Sequence, residues 1–99
     1  MIKHIVMWKL EDVSQGNTKD ENAQQIKIML EALTGQIDGL LKLEVGIDDS
    51  LKNYDVVLYS EFVSRDALAA YDIHPEHIKC KEFIKQVIVE RVACDYECN

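Results

Sequence analysis

The stretch Ile2-Lys-His-Ile-Val-Met-Trp-Lys-Leu10 decides how the rest of the chain is read. Its alternation puts Ile2, His4, Val6, Trp8 and Leu10 on one side and Lys3, Ile5, Met7 and Lys9 on the other. Strict alternation is the signature of a strand. Both sides are apolar in the middle, so this strand has to be covered on both faces. One layer of helices covers only one of them.

Downstream, a polar loop over 11–17 contains Gly16 and leads into Thr18-x-x-Glu21, the pattern of a capping box. Ala23, Ile26, Leu30 and Leu33 then recur at helical spacing, widened by Met29, and Gly35 stands where a C-cap is expected. The spacing predicts a helix over 19–34. Leu41, Leu43, Val45 and Ile47 alternate with Lys42, Glu44 and Gly46, a period of two. The turn residues Asp48, Asp49, Ser50 and Asn53 separate this strand from a further one over 54–62. Ser64 can cap a short helix ending near Tyr71, and a second helical stripe follows in His77, Cys80, Phe83, Ile84 and Val87. A last strand over 87–96 carries Ile88, Val89, Val92 and Cys94.

The order is β-α-β-β-α-β with the second helix broken. It is the split βαβ, ferredoxin-like plan of the α+β class, an antiparallel sheet with the helices on one face. Residues 1–99 form one domain with no linker, repeat or low-complexity segment. The second, apolar face of the sheet would be a large exposed patch without a cover. A second copy related by two-fold symmetry is the simplest one, and it makes a homodimeric α/β barrel.

Charge narrows the partners. Eleven Lys and Arg stand against 18 Asp and Glu, for a net charge of −7. Such a surface repels phosphate backbones and anionic lipid, so neither nucleic acid nor a membrane is an expected partner. The first residues lack the continuous apolar core of a signal peptide, and no segment reaches transmembrane length; a cytoplasmic address is the default expectation. Three cysteines, Cys80, Cys94 and Cys98, make a poor disulfide framework and fit a reducing compartment.

The chemistry-bearing residues gather in Tyr71-Asp-Ile-His74-Pro75-Glu76-His77, which holds two of the three histidines and the only proline. Proline fixes φ and has no N–H to satisfy, so it suits the first turn of a helix. That puts His74 at the N-cap and His77 at the third helical position. A histidine in this turn faces the positive end of the helix dipole, which favours the neutral ring. His74, His77 and Cys80 follow at steps of three, but positions on one short helix seldom converge on a tetrahedral ion, so no metal is expected. The bland alternative is that His74 only caps the helix, His77 and Tyr71 only pack, and His4 is a satisfied core residue.

Ile2-Lys-His-Ile-Val-Met-Trp-Lys-Leu10, Leu43-Glu-Val-Gly46, Tyr54-Asp-Val-Val-Leu-Tyr-Ser-Glu-Phe62, Tyr71-x-x-His-Pro-x-His77 and the closing Asp95-Tyr96 together resemble the stress-responsive A/B barrel domain (Dabb) family. The resemblance implies a dimeric barrel. Many bacterial members have no established activity, whereas plant members include a boiling-stable stress protein and a polyketide cyclase, olivetolic acid cyclase. By resemblance to that cyclase, Tyr71 and His77 would be a catalytic pair for an intramolecular aldol condensation and His4 would line the pocket; His74, beside them in the motif, is a further candidate for the lining of a small-molecule pocket between sheet and helices. His77 would remove a C–H proton α to a carbonyl while Tyr71 donates to the developing oxyanion. The chain departs from the cyclase in helix 19–34, which has no aromatic residue to shape that substrate.

Two functional readings therefore stand side by side. One is a stress-associated homodimer without assigned activity that holds a small apolar or carbonyl ligand between sheet and helices. The other is a cyclase- or lyase-like enzyme using His77 and Tyr71. A haem- or quinone-oxidising monooxygenase shares the barrel plan by fold analogy alone, and no cofactor is implied by the residues.

Overall fold

A computed structural model describes all 99 residues. The main sheet has four antiparallel strands: β1 (Ile2–Leu10), β4 (Leu40–Ile47), β5 (Val56–Phe62) and β6 (Ile88–Glu97). Their spatial order is β4-β5-β1-β6, so β1 lies inside the sheet, bonded to β5 on one side and β6 on the other. Pairing sets Val6 opposite Leu58 and Ala93, and His4 opposite Ser60 and Asp95. This is the arrangement expected from the order of elements.

Three helices cover one face: α1 (Lys19–Glu31), α2 (Arg65–Asp72) and α3 (Pro75–Val87). The alternation of β1 is resolved as anticipated, with Ile2, Val6, Trp8 and Leu10 buried beneath the helices. Val45, Val56, Leu58 and Phe62 join them from the sheet. Ala23, Ile26 and Leu30 come from α1, Tyr71 from α2, and Cys80, Ile84 and Val87 from α3. Removing a side chain such as Ile26, which is fully buried, would cost about 2–5 kcal/mol through lost burial and a residual cavity.

The capping box forms as read: Thr18 Oγ1 accepts from the Glu21 N–H, and Glu21 Oε1 accepts from the Thr18 N–H. Helix α1 ends earlier than residue 34, however. From Leu33 the chain tightens into bonds three residues back, Leu33 to Leu30 and Thr34 to Glu31, which satisfy the last carbonyls without a glycine cap. The loop over 11–17 also holds more structure than expected. Val13–Ser14 (β2) and Asn17–Thr18 (β3) form a small hairpin, anchored where Asn22 Nδ2 donates to the Ser14 carbonyl. Strand β5 begins at Val56 rather than 54, because the backbone of Asp55 turns to bond Trp8 and Asp48.

Strand β4 is an edge, yet it is blocked. Lys27 Nζ donates to the Val45 carbonyl at 2.6 Å, and Glu31 Oε2 accepts from the Val45 N–H at 3.1 Å. The same lysine bonds Glu31 and holds its carboxyl below the usual carboxylate range. Both backbone groups of Val45 are thereby withheld from a further strand.

The opposite sheet face carries no helix. Ile5 and Met7 of β1, Val57 and Tyr59 of β5, and Val92, Cys94 and Tyr96 of β6 share it by register. Met7, Val92 and Tyr96 are about two-fifths exposed (39%, 38% and 42%). Lys3 and Lys42 lie over the Tyr59 ring, at 5.7 and 5.6 Å from its centroid. The face is apolar at its centre and uncovered within one chain, which is the condition the sequence of β1 imposed.

Gly39 couples the sheet to α2. Its φ is +83°, its carbonyl accepts from the Val63 N–H, and an added Cβ would lie 2.5 Å from the Ala67 Cβ. Gly39→Ala therefore meets both left-handed strain and a clash, and a loss of about 2–4 kcal/mol is expected in urea unfolding. An unchanged midpoint would show that α2 does not seat on this turn.

Candidate functional site

The broken second helix builds the site. Helix α2 stops at Asp72, and the chain restarts with His74 as N-cap and Pro75 at the first position of α3. His74 Nδ1 accepts the Glu76 N–H at 3.1 Å, so this ring serves the helix start as expected. His77 is at the third position and is buried, with 8% of its surface exposed.

The tautomer of His77 follows from its partners. Nδ1 lies 3.0 Å from the Tyr71 carbonyl and 3.4 Å from that of Asp72. A carbonyl only accepts, so Nδ1 carries the proton and Nε2 keeps its lone pair. Burial lowers the His77 pKa to about 4; the nearby Lys81 charge adds to this, while the two carbonyl bonds and Asp72 oppose it. The ring is neutral at pH 7.

His4 is oriented in the same way by a different group. Its Nδ1 is 2.5 Å from Asp95 Oδ1 across the β1–β6 pairing. Between the two histidines sits Tyr71, stacked on His77 with ring centroids 3.9 Å apart and edge-on to His4 at 6.2 Å. Tyr71 also packs on Phe62 at 4.9 Å. Its hydroxyl is buried without a hydrogen-bond partner, and burial raises its pKa well above the usual phenol range.

A cavity of about 480 Å³ opens between α3 and strands β1 and β6. His4 and His77 both line it, over an apolar floor of Val6, Trp8, Leu58 and Ile84. Asp72, Lys81, Glu82, Lys85 and Arg91 form the polar rim. The four residues singled out from sequence therefore separate. His4 and His77 face the cavity together. Tyr71 lies behind His77 in the core with its hydroxyl closed off, His74 is engaged at the helix cap, and neither is part of the lining. Cys80 turns its thiol to the Met29 and Glu76 carbonyls, and no group of three or more His, Cys, Asp or Glu side chains is placed to hold a metal ion.

Asp95 and Arg91 were not legible as site residues. A bulge in β6 pairs Lys9 with Glu90 but Leu10 with Ile88, so counting back along the strand from its start gives the wrong partners. Trp8, assigned to the core, has a second role as cavity floor.

These features define a ferredoxin-like α+β domain with an uncovered apolar sheet face and a histidine-lined cavity under its last helix. Residues 2–98 match the model of the Stress responsive A/B Barrel Domain, Dabb, and the chain belongs to that family. Among solved structures it is similar to a dimeric protein of unknown function and ferredoxin-like fold from Bacteroides fragilis. That pair shares 31% identity over 98% of this chain and 95% of the other, with a TM-score of 0.84. A dimeric ferredoxin-like protein of unknown function from Thermobifida fusca shares 27% identity over 98% and 90% of the two chains, with a TM-score of 0.84. The hydroxynitrile lyase from Passiflora edulis has the same fold, at 20% identity over 99% and 93% and a TM-score of 0.76. No curated protein sequence matches the chain. No helix is long and apolar enough to cross a membrane.

The depressed His77 pKa has a consequence for stability. Between its ordinary value of 6.5 and its folded value of about 4, the unfolded chain binds a proton that the native chain does not. Its contribution to stability is full above pH 6.5 and is lost as pH falls toward 4. Urea unfolding at pH 7 and pH 4.5 is expected to show a loss of about 2–3 kcal/mol that His77→Gln largely removes. Equal pH slopes in the two proteins would mean that His77 protonates freely in the fold.

Proposed function

We propose that this chain is a homodimeric barrel that takes a small carbonyl-bearing molecule into the cavity under α3. The supporting observation is the state of His77: a buried neutral ring, pinned through Nδ1 to the Tyr71 carbonyl, with Nε2 left without a protein partner in a lined cavity. A side chain that only packs has no need of a cavity beside its free nitrogen. His4, held by Asp95, offers a second ring nitrogen to the same space.

Dimerisation is supported by the uncovered face of β1, β5 and β6 and by the dimeric relatives from Bacteroides fragilis and Thermobifida fusca. The barrel closes when two such faces meet, with both cavities remaining on the outer, helical side. Met7→Glu would bury a charge at the centre of that contact. Light scattering is expected to give a dimer mass for the wild type at micromolar concentration and a monomer mass, or loss of folding, for the variant. A monomeric wild type with a cooperative melt would remove the barrel from the proposal.

An enzymatic reading of the cyclase or lyase kind rests on one specific feature, the lone pair on His77 Nε2, which is unprotonated at pH 7 though the burial that keeps it so also makes it a weak base. Tyr71 would serve as its oxyanion donor only after the hydroxyl is uncovered, since it is sealed from the cavity here. Proton exchange at the carbon between the carbonyls of a 1,3-diketone in D2O, followed by NMR, tests the base directly. The wild type is expected to accelerate exchange and His77→Gln to remove at least about 100-fold of the acceleration, the usual scale of a positioned base. Exchange at the same rate in both proteins would leave His77 as a ligand-orienting residue and the enzyme reading without support.

A further inference from the structure

We propose that the molecule held in this cavity is a small amphipathic monocarboxylate whose acid group is bound by Arg91. The inference rests on the cavity reading above and adds the chemical class of its occupant.

The rim carries three cations and two carboxylates. Lys81 is paired with Asp72 at 3.0 Å and Lys85 with Glu82 at 3.2 Å. Arg91 pairs with no carboxylate anywhere in the chain and makes no side-chain hydrogen bond. It projects from β6 on the helical side of the sheet, opposite Trp8, at the exposed mouth of the cavity. Its charge reaches Tyr71 and Asp72 as a minor contribution, opposing the burial that raises Tyr71 and adding to the Lys81 bond that lowers Asp72.

What distinguishes Arg91 is its place: it is the cation of the cavity rim that has no carboxylate partner. Guanidinium presents parallel N–H donors that match the two oxygens of a carboxylate. Of the three cations on the rim only Arg91 is uncompensated, so an anionic head entering this cavity is drawn to it. A single unpaired charge suits a monoanion; a phosphate dianion would leave one negative charge unmatched beside Asp72 and Glu82. Val6, Trp8, Leu58, Ile84 and Ile88 require the remainder of the ligand to be apolar.

Trp8 is the only tryptophan in the chain and forms part of the cavity floor, so its fluorescence reports occupancy. Octanoate, octanol and octylammonium share one apolar body and differ in the charge of the head. Titrations of the full chain are expected to show octanoate binding about tenfold or more tightly than octanol, with octylammonium weakest. Added salt should shrink the difference, because the arginine is exposed. Arg91→Gln, a surface change that leaves the melting curve unaltered, should bring octanoate to the level of octanol while leaving octanol binding unchanged. Equal binding of octanoate and octanol by the wild type, or an acid preference that survives in Arg91→Gln, overturns the inference and leaves the cavity reading standing. If none of the three compounds alters Trp8 emission, both fall together.

Discussion

The structure depends on β1 having two apolar faces while lying inside a four-stranded sheet. A strand bonded on both sides has no free edge, so its side chains can be shielded only from above and below. The three helices shield Ile2, Val6, Trp8 and Leu10. Ile5 and Met7, with the residues paired beside them on β5 and β6, receive no cover from their own chain. Hydrophobic burial at roughly 25 cal/mol per Å² makes an open face of this kind a standing drive to associate. The similar chains from Bacteroides fragilis and Thermobifida fusca are dimeric.

The same demand shapes the helical layer. The stop at Asp72 and the restart at Pro75 fold the chain back, so that Tyr71 fills the core while α3 runs beside α1. His77 falls at the junction, where the carbonyls of Tyr71 and Asp72, freed by the end of α2, are available to its Nδ1. The polar groups left over at a helix terminus thus select one histidine tautomer, that of a ring which lines the cavity. His4 reaches a similar state by a cross-strand carboxylate. Two rings enter one space, one oriented by neutral carbonyls and the other by a charged group.

Family membership and fold do not carry the chemistry. The hydroxynitrile lyase of similar fold shows that this plan can host an enzyme. In the present chain the buried Tyr71 hydroxyl and the aromatic-free α1 set its site apart from the cyclase pattern that its motif resembles. The cavity's own features are a neutral histidine, a single tryptophan and an unpaired arginine.

Local physics was legible in the amino-acid order. Alternation identified the strands, the Thr18–Glu21 box started α1, and His74-Pro75 started α3, because each depends on residues within one or two turns of one another. The apolar content of both faces of β1 likewise calls, in the sequence alone, for a second cover on the sheet. The end of α1 is not marked by Gly35, because hydrogen bonds to Leu30 and Glu31 close the helix before it. What only the tertiary structure decided was the membership of the site. Asp95 meets His4 across 91 residues of sequence, and a one-residue bulge in β6 sets which side chains of that strand face the cavity. A single residue added to a strand exchanges its two faces, so no reading along the chain could place Asp95 and Arg91 beside the histidines until the pairing itself was known.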